Sequence, residues 1–124
     1  MNIKSLLIVT ALLEAGTGIA LLIAPSVTVD LLLGSGLSSP QLLVLGRVTG
    51  AALVTIGVAC WLARNGERTA QTALVTGLLV YNIAVPALLI YAAIALEMHG
   101  ILLWPASIVH VALAGWCLLC LRSR

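Results

Sequence analysis

Residues 5–24 read SLLIVTALLEAGTGIALLIA, an apolar segment interrupted by a single charged side chain, Glu14. Because an α-helix rises about 1.5 Å per residue, about 20 residues cross the roughly 30 Å apolar layer of a membrane. Pro25 follows and lacks the backbone N–H that a continuing helix needs. The segment therefore predicts a first membrane span, retained rather than cleaved, because no small-residue signal-peptide cleavage site is present.

Apolar segments of similar length occupy most of the remaining sequence. Of the 124 residues, 62% are hydrophobic and 8% are charged, whereas soluble domains are roughly 45–50% apolar. We predict an all-α membrane protein, a four-transmembrane-helix antiparallel bundle with a short interfacial segment after helix 1, forming a single domain over residues 1–124. The predicted spans are residues 5–24, 40–63, 69–98 and 101–121, and the interfacial segment is residues 26–36.

Capping and turn residues support these limits. A serine oxygen can accept a hydrogen bond from the free amides of a helix start, and proline is tolerated at the first helical position, so Ser39 and Pro40 predict the start of the second span. Asn65 and Gly66 predict a polar turn after it. His99 and Gly100 are expected to end the third span.

The basic side chains predict the orientation, because lysine and arginine stay on the cytoplasmic side of a membrane. The connections on the opposite side carry Asp30, Glu97 and His99 but no lysine or arginine. We therefore predict a protein of the bacterial inner membrane with both termini in the cytoplasm, and no nucleic-acid partner, since the basic residues flank spans. The five basic residues on the predicted cytoplasmic side are Lys4, Arg64, Arg68, Arg122 and Arg124.

Each predicted span contains one strongly polar residue away from its ends: Glu14, Arg47, Asn82 and His110. A charge at the bilayer centre costs about 3 kcal/mol on insertion scales, so such residues normally face protein and find a partner. We predict that the four meet in a buried polar site. In one interpretation Glu14 and Arg47 form an ion pair and the other two fix the helix register. In the other, the group binds a proton or a ligand.

Small residues predict close helix packing along the second span. Gly46 and Gly50 form a G-x-x-x-G pattern, and Gly57 continues it. Such faces let helix backbones approach closely in membranes. The sequence leaves open whether this face packs within the bundle or between copies of the chain.

The cysteines permit a further interpretation. Cys117 and Cys120 have C-x-x-C spacing, and with Cys60 they could offer thiolates to a soft metal or form a redox pair. On apolar helices cysteine more often behaves as a small hydrophobic residue. We therefore predict no metal site and no cofactor.

No catalytic motif is present, which favours a non-enzymatic protein. The leading prediction is an accessory or self-associating bundle whose partners are the lipid bilayer and either further copies or a larger membrane complex. A proton-coupled carrier or exporter using Glu14 is the first alternative. The second is a membrane redox or metal-thiolate factor using Cys117 and Cys120.

The stretch LGRVTGAALVTIG at residues 45–57, with Pro25 and LLLG at residues 31–34, resembles small bacterial four-span proteins of the DoxX-like type. These proteins have an arginine near the outer end of the second helix followed by spaced glycines. The resemblance implies a compact four-helix membrane bundle.

The position of Glu14 in ALLE at residues 11–14 is similar to that of the first-helix glutamate of small multidrug resistance proteins. This likeness implies that Glu14 couples protons to a cation. The later helices depart from that family, because Arg47 is a poor companion for a cation site.

Overall fold

The computed structural model describes residues 2–123, which form five α-helices and no strand. Four of these helices are long and apolar enough to cross a membrane. The all-α fold with four spans is thereby confirmed, and the chain is a multi-pass membrane protein by helix length and composition. The predicted limits of the spans lie within three residues of the observed ones. The helices are α1 (Ile3–Ile23), α2 (Pro25–Leu33), α3 (Pro40–Ala63), α4 (Arg68–Ala95) and α5 (Leu103–Arg122).

Ser39 and Pro40 begin α3 as the sequence predicts, and Pro25, expected only to close the first span, also begins a helix. The backbone N–H of Leu42 donates to the Ser39 side chain at 3.3 Å, and Pro40 occupies the first position of α3. Pro25 likewise begins α2, directly after the single residue Ala24 that separates it from α1. The predicted interfacial segment is thus a nine-residue helix, about 14 Å long and too short to cross a membrane.

The third span ends at Ala95 rather than at residue 98 as predicted. Glu97 takes a left-handed backbone conformation with φ of 52°, and the N–H of Met98 donates to the carbonyl of Ala92 at 3.1 Å. A left-handed residue directly after the C-cap is a common way for a helix to end. The backbone therefore leaves the helix before His99.

Helices α1 and α3 pack antiparallel with their backbones in contact. A Cβ atom added to Gly50 would lie 2.7 Å from the carbonyl oxygen of Gly18, and one added to Gly18 would lie 2.6 Å from that of Gly50. At Gly57 it would lie 2.9 Å from the Cβ of Ala15, and at Gly46 3.0 Å from Pro25. In the structure the three predicted packing glycines therefore pack within the chain.

Helices α4 and α5 form a second antiparallel pair, and the side chains between the two pairs form the core. The core lies toward the end of the bundle where α1 begins, while a smaller cluster of Leu89, Ala93 and Leu103 lies toward the other end. The buried members of the main cluster are Leu6, Leu7, Ala11, Cys60, Val75, Leu78, Leu113, Cys117 and Cys120.

The two ends of the bundle differ in charge. Lys4, Arg64, Arg68 and Arg122 all lie at or beside helix ends on the side where α1 begins and α5 ends. The fifth predicted cytoplasmic residue, Arg124, lies outside the described residues. At the opposite end α2 is tied to the start of α5, because the N–H of Leu102 donates to the carbonyl of Leu31 at 2.8 Å.

Replacing Gly50 with alanine tests the backbone contact. We expect Gly50→Ala to lower the free energy of unfolding by about 1–3 kcal/mol, because the new Cβ is forced against backbone atoms of α1. The matched control is Gly115→Ala in α5, where an added Cβ meets nothing within 4 Å. This change is expected to stabilise the helix by up to about 1 kcal/mol. Unfolding in detergent followed by circular dichroism measures both, and equal responses would contradict the packing described above.

Candidate functional site

A half-open cavity of about 250 Å³ lies in the membrane-spanning part of the bundle. Its wall is mainly apolar, but it includes the side chains of Glu14, Tyr81 and His110, from α1, α4 and α5. The complete wall is formed by Leu13, Glu14, Thr17, Leu53, Tyr81, Leu102, Pro105, Ala106, Val109, His110 and Leu113.

Glu14 is the buried acid of this cavity. Glu14 is 3% exposed, and its Oε2 accepts a hydrogen bond of 3.0 Å from the Tyr81 hydroxyl. Within residues 2–123 no lysine, arginine or histidine forms an ion pair with it. The carboxyl group therefore lies in a mainly apolar wall, and its hydrogen-bond donor is the neutral Tyr81 hydroxyl.

His110 is oriented by Asn82, which is fully buried. The Asn82 Nδ2 donates to the carbonyl of Leu78 at 2.8 Å, so its Oδ1 is an acceptor. This oxygen lies 2.7 Å from His110 Nδ1. The network thus assigns the proton of a neutral imidazole to Nδ1 and leaves Nε2 as an acceptor. Asn82 positions the histidine and is not part of the cavity wall.

Tyr81 joins the acid to the histidine. Its ring meets the His110 imidazole edge to face, with centroids 5.5 Å apart and an interplanar angle of 82°, a favourable arrangement for aromatic rings. Its hydroxyl meanwhile reaches Glu14. Glu14, Tyr81, His110 and Asn82 therefore form one continuous chain of contacts across α1, α4 and α5, which we call the polar chain.

Arg47 is absent from this site, and the predicted ion pair between Glu14 and Arg47 does not form. Its Nε donates to the carbonyl of Leu22 at 3.2 Å, and its side chain is exposed. Leu22 lies about 12 Å farther along α1 than Glu14. The antiparallel register of α1 and α3 places Arg47 level with Leu22, so the structure brings together three of the four predicted residues.

The cysteines lie in the apolar core. Cys60, Cys117 and Cys120 are free and buried, and they pack with leucines and a valine at the end of the bundle away from the cavity. In the part of the chain that the structure describes, no group of three or more histidine, cysteine, aspartate or glutamate side chains is arranged to hold a metal ion.

Tyr81 belongs to the site but is not among the four residues predicted from the sequence. A hydroxyl in the middle of a predicted span, next to Asn82, was the available signal, because membrane tyrosines usually lie at the interface with water. Its contact with Glu14 joins residues that are 67 positions apart, which no local pattern shows.

No protein-family model, curated protein or solved structure matches the chain. The fold and the site define a multi-pass α-helical membrane protein with a polar chain on the wall of an internal cavity. The chemistry of that cavity is the basis for assigning a function.

Tyr81→Phe tests the contact with Glu14. Loss of the hydroxyl leaves a buried carboxyl without its donor, so we expect the free energy of unfolding to fall by about 1–2 kcal/mol. The control is Tyr91→Phe, because Tyr91 is 58% exposed and should tolerate the change. Unfolding of both variants in the same detergent gives the comparison, and a Tyr81→Phe variant as stable as the control would argue against the hydrogen bond.

Proposed function

We propose that the chain is a small, non-enzymatic, proton-coupled carrier or exporter of the bacterial inner membrane, with Glu14 as the proton-exchanging group. The observation that supports this is a buried carboxyl group on the wall of a cavity, with no cationic partner among residues 2–123. The basic side chains at one end of the bundle favour an orientation with both termini in the cytoplasm.

The exchange follows from the cost of an isolated charge in the membrane. An ionised carboxylate near mid-depth costs about 3 kcal/mol on insertion scales. Binding a proton or a cationic group relieves this cost, and the two compete for the same oxygen atoms. A cargo that brings a positive charge to Glu14 therefore displaces its proton.

The cavity wall indicates the kind of cargo. A volume of about 250 Å³ lies just below the roughly 300–1,000 Å³ of typical ligand pockets. The carboxyl group of Glu14 and Nε2 of His110 both accept hydrogen bonds, while the surrounding leucine, valine and proline side chains are apolar. We infer a small, mostly apolar molecule with a hydrogen-bond donor or a positive charge.

The lipid side of the bundle offers this cargo a route to the cavity. Leu13, Leu102 and Val109 belong to the cavity wall, yet they are 40%, 44% and 40% exposed. The same side chains therefore face both the cavity and the surroundings of the bundle. An apolar cargo dissolved in the membrane would meet them first.

Benzylamine is a suitable probe, because it joins an apolar ring to a positively charged amino group. Toluene has the same ring without the amino group. We expect benzylamine, but not toluene, to bind the purified protein and to release protons into a weakly buffered solution, as followed with a pH indicator. Glu14→Gln should abolish this release, because an amide side chain does not ionise and so has no acidic proton to give up. Glu97→Gln, which lies outside the spans, is the control and should behave as the unmodified chain. Proton release that persists in Glu14→Gln would exclude Glu14 as the exchanging group.

A self-associating bundle is the second candidate, and one face of α4 favours it. Ala73 and Gly77 are exposed, and a Cβ added to Gly77 meets nothing within 4 Å. Small residues four positions apart are common where membrane helices pack. In this proposal the polar chain serves to fix the register of the helices.

Gly77→Ile tests self-association. A branched side chain at this position would separate the two copies, so we expect the cross-linked dimer fraction in liposomes to fall by about fivefold, equivalent to about 1 kcal/mol. Gly115→Ile in α5, also without neighbours within 4 Å, is the matched control. A chain that is monomeric before any substitution would rule this candidate out.

The resemblances to DoxX-like and small multidrug resistance proteins remain predictions. The first agrees with a four-span bundle, and the second with the use of Glu14 proposed here.

A further inference from the structure

Arg47 is a cation on the outer surface of a membrane-spanning helix. Its side chain is exposed, and it lies seven residues after Pro40 in α3, about 10 Å in from the start of that helix. The adjacent Val44 and Val48 are 58% and 59% exposed. This part of α3 therefore faces the membrane with a positive charge in an apolar surface.

The hydrogen bonding of Arg47 is incomplete within the described chain. Its Nε donates to the carbonyl of Leu22, a group near the end of α1, where helix carbonyls lack helical partners. The N–H groups on Nη1 and Nη2 have no acceptor within residues 2–123, and no carboxylate there forms an ion pair with them. The contact with Leu22 therefore fixes the guanidinium and leaves donors for another group.

A shallow apolar groove, open to the surroundings of the bundle, lies on the same stretch of α3. It has a volume of about 490 Å³ and is lined by Pro40, Gln41, Val44 and Leu45. Pro40, Val44 and Arg47 follow one another at spacings of four and three residues, so they share one face of α3. The groove thus lies on α3 between Arg47 and the start of the helix.

We propose that Arg47 and this groove bind a membrane phospholipid, with the phosphate on the guanidinium and an acyl chain in the groove. The remaining N–H groups match phosphate oxygens in charge and geometry. The guanidinium lies at the carbonyl of Leu22, the penultimate residue of α1, so the phosphate would meet it at that end of the helix. The site is separate from the polar chain and does not rest on the proposed carrier function.

The occupant is a lipid because this surface combines a cationic guanidinium with an apolar groove. A soluble anion would use the guanidinium and leave the groove empty. An apolar helix of another protein would fill the groove and leave the charge unpaired, which is costly in a membrane. A phospholipid satisfies both parts.

Native mass spectrometry in detergent can count bound lipids on the intact chain. Phosphatidylglycerol is the probe, diacylglycerol supplies the same chains without phosphate, and glycerol phosphate supplies phosphate without chains. We expect only phosphatidylglycerol to remain bound. Arg47→Gln should lower its retention by about five- to tenfold, as expected for loss of a charge-assisted contact. Arg68→Gln, at the other end of the bundle, should change it by less than about twofold.

Val44→Trp provides a second test that leaves Arg47 in place. The indole would fill the groove, and because Val44 is 58% exposed the helix should fold normally. We expect retention to fall by about fivefold. Unchanged retention in either Arg47→Gln or Val44→Trp, equal binding of diacylglycerol, or displacement of the lipid by glycerol phosphate alone would overturn the proposal. The proposal would also be overturned if another protein were found bound to this surface at a one-to-one ratio in place of lipid.

Discussion

Gly18 and Gly50 bring the backbones of α1 and α3 so close that a Cβ on either would meet the carbonyl oxygen of the other. In lipid, apolar side chains gain little free energy by packing against protein instead of acyl chains, so helix association relies on van der Waals contact. This contact is strongest where small residues let the two backbones approach closely. The contact also fixes the register of the two helices. Glu14 then lies inside the bundle, and Arg47 lies level with Leu22 on the outside.

The second pair, α4 and α5, is held in register by a different interaction. The hydrogen bond between Asn82 and His110 joins a fully buried amide to a half-buried imidazole. The Asn82 amide also donates to the Leu78 carbonyl. Tyr81 then spans the space between the pairs to reach Glu14. The cavity lies between the pairs, and its wall carries Glu14, Tyr81 and His110.

Two ionisable side chains in the spans are accommodated in opposite ways. Glu14 is enclosed and receives a neutral donor, while Arg47 is turned outward and uses a helix carbonyl. The short acid can exchange a proton without moving its chain. The long base reaches the carbonyl of Leu22, the penultimate residue of α1, while its stem stays in apolar surroundings. The carrier proposal and the lipid site follow from this separation of the charges.

The sequence determined the class of fold, because the lengths of the apolar segments and the positions of Pro25, Ser39 and Pro40 act through local physics: helix rise, missing N–H groups and side-chain caps. It also identified Glu14, Asn82 and His110 as polar groups needing partners. Only the tertiary structure decided which partners they have. The register of α1 against α3 excluded Arg47, and the approach of α4 supplied Tyr81, both through contacts between residues far apart in the chain, which no local pattern contains.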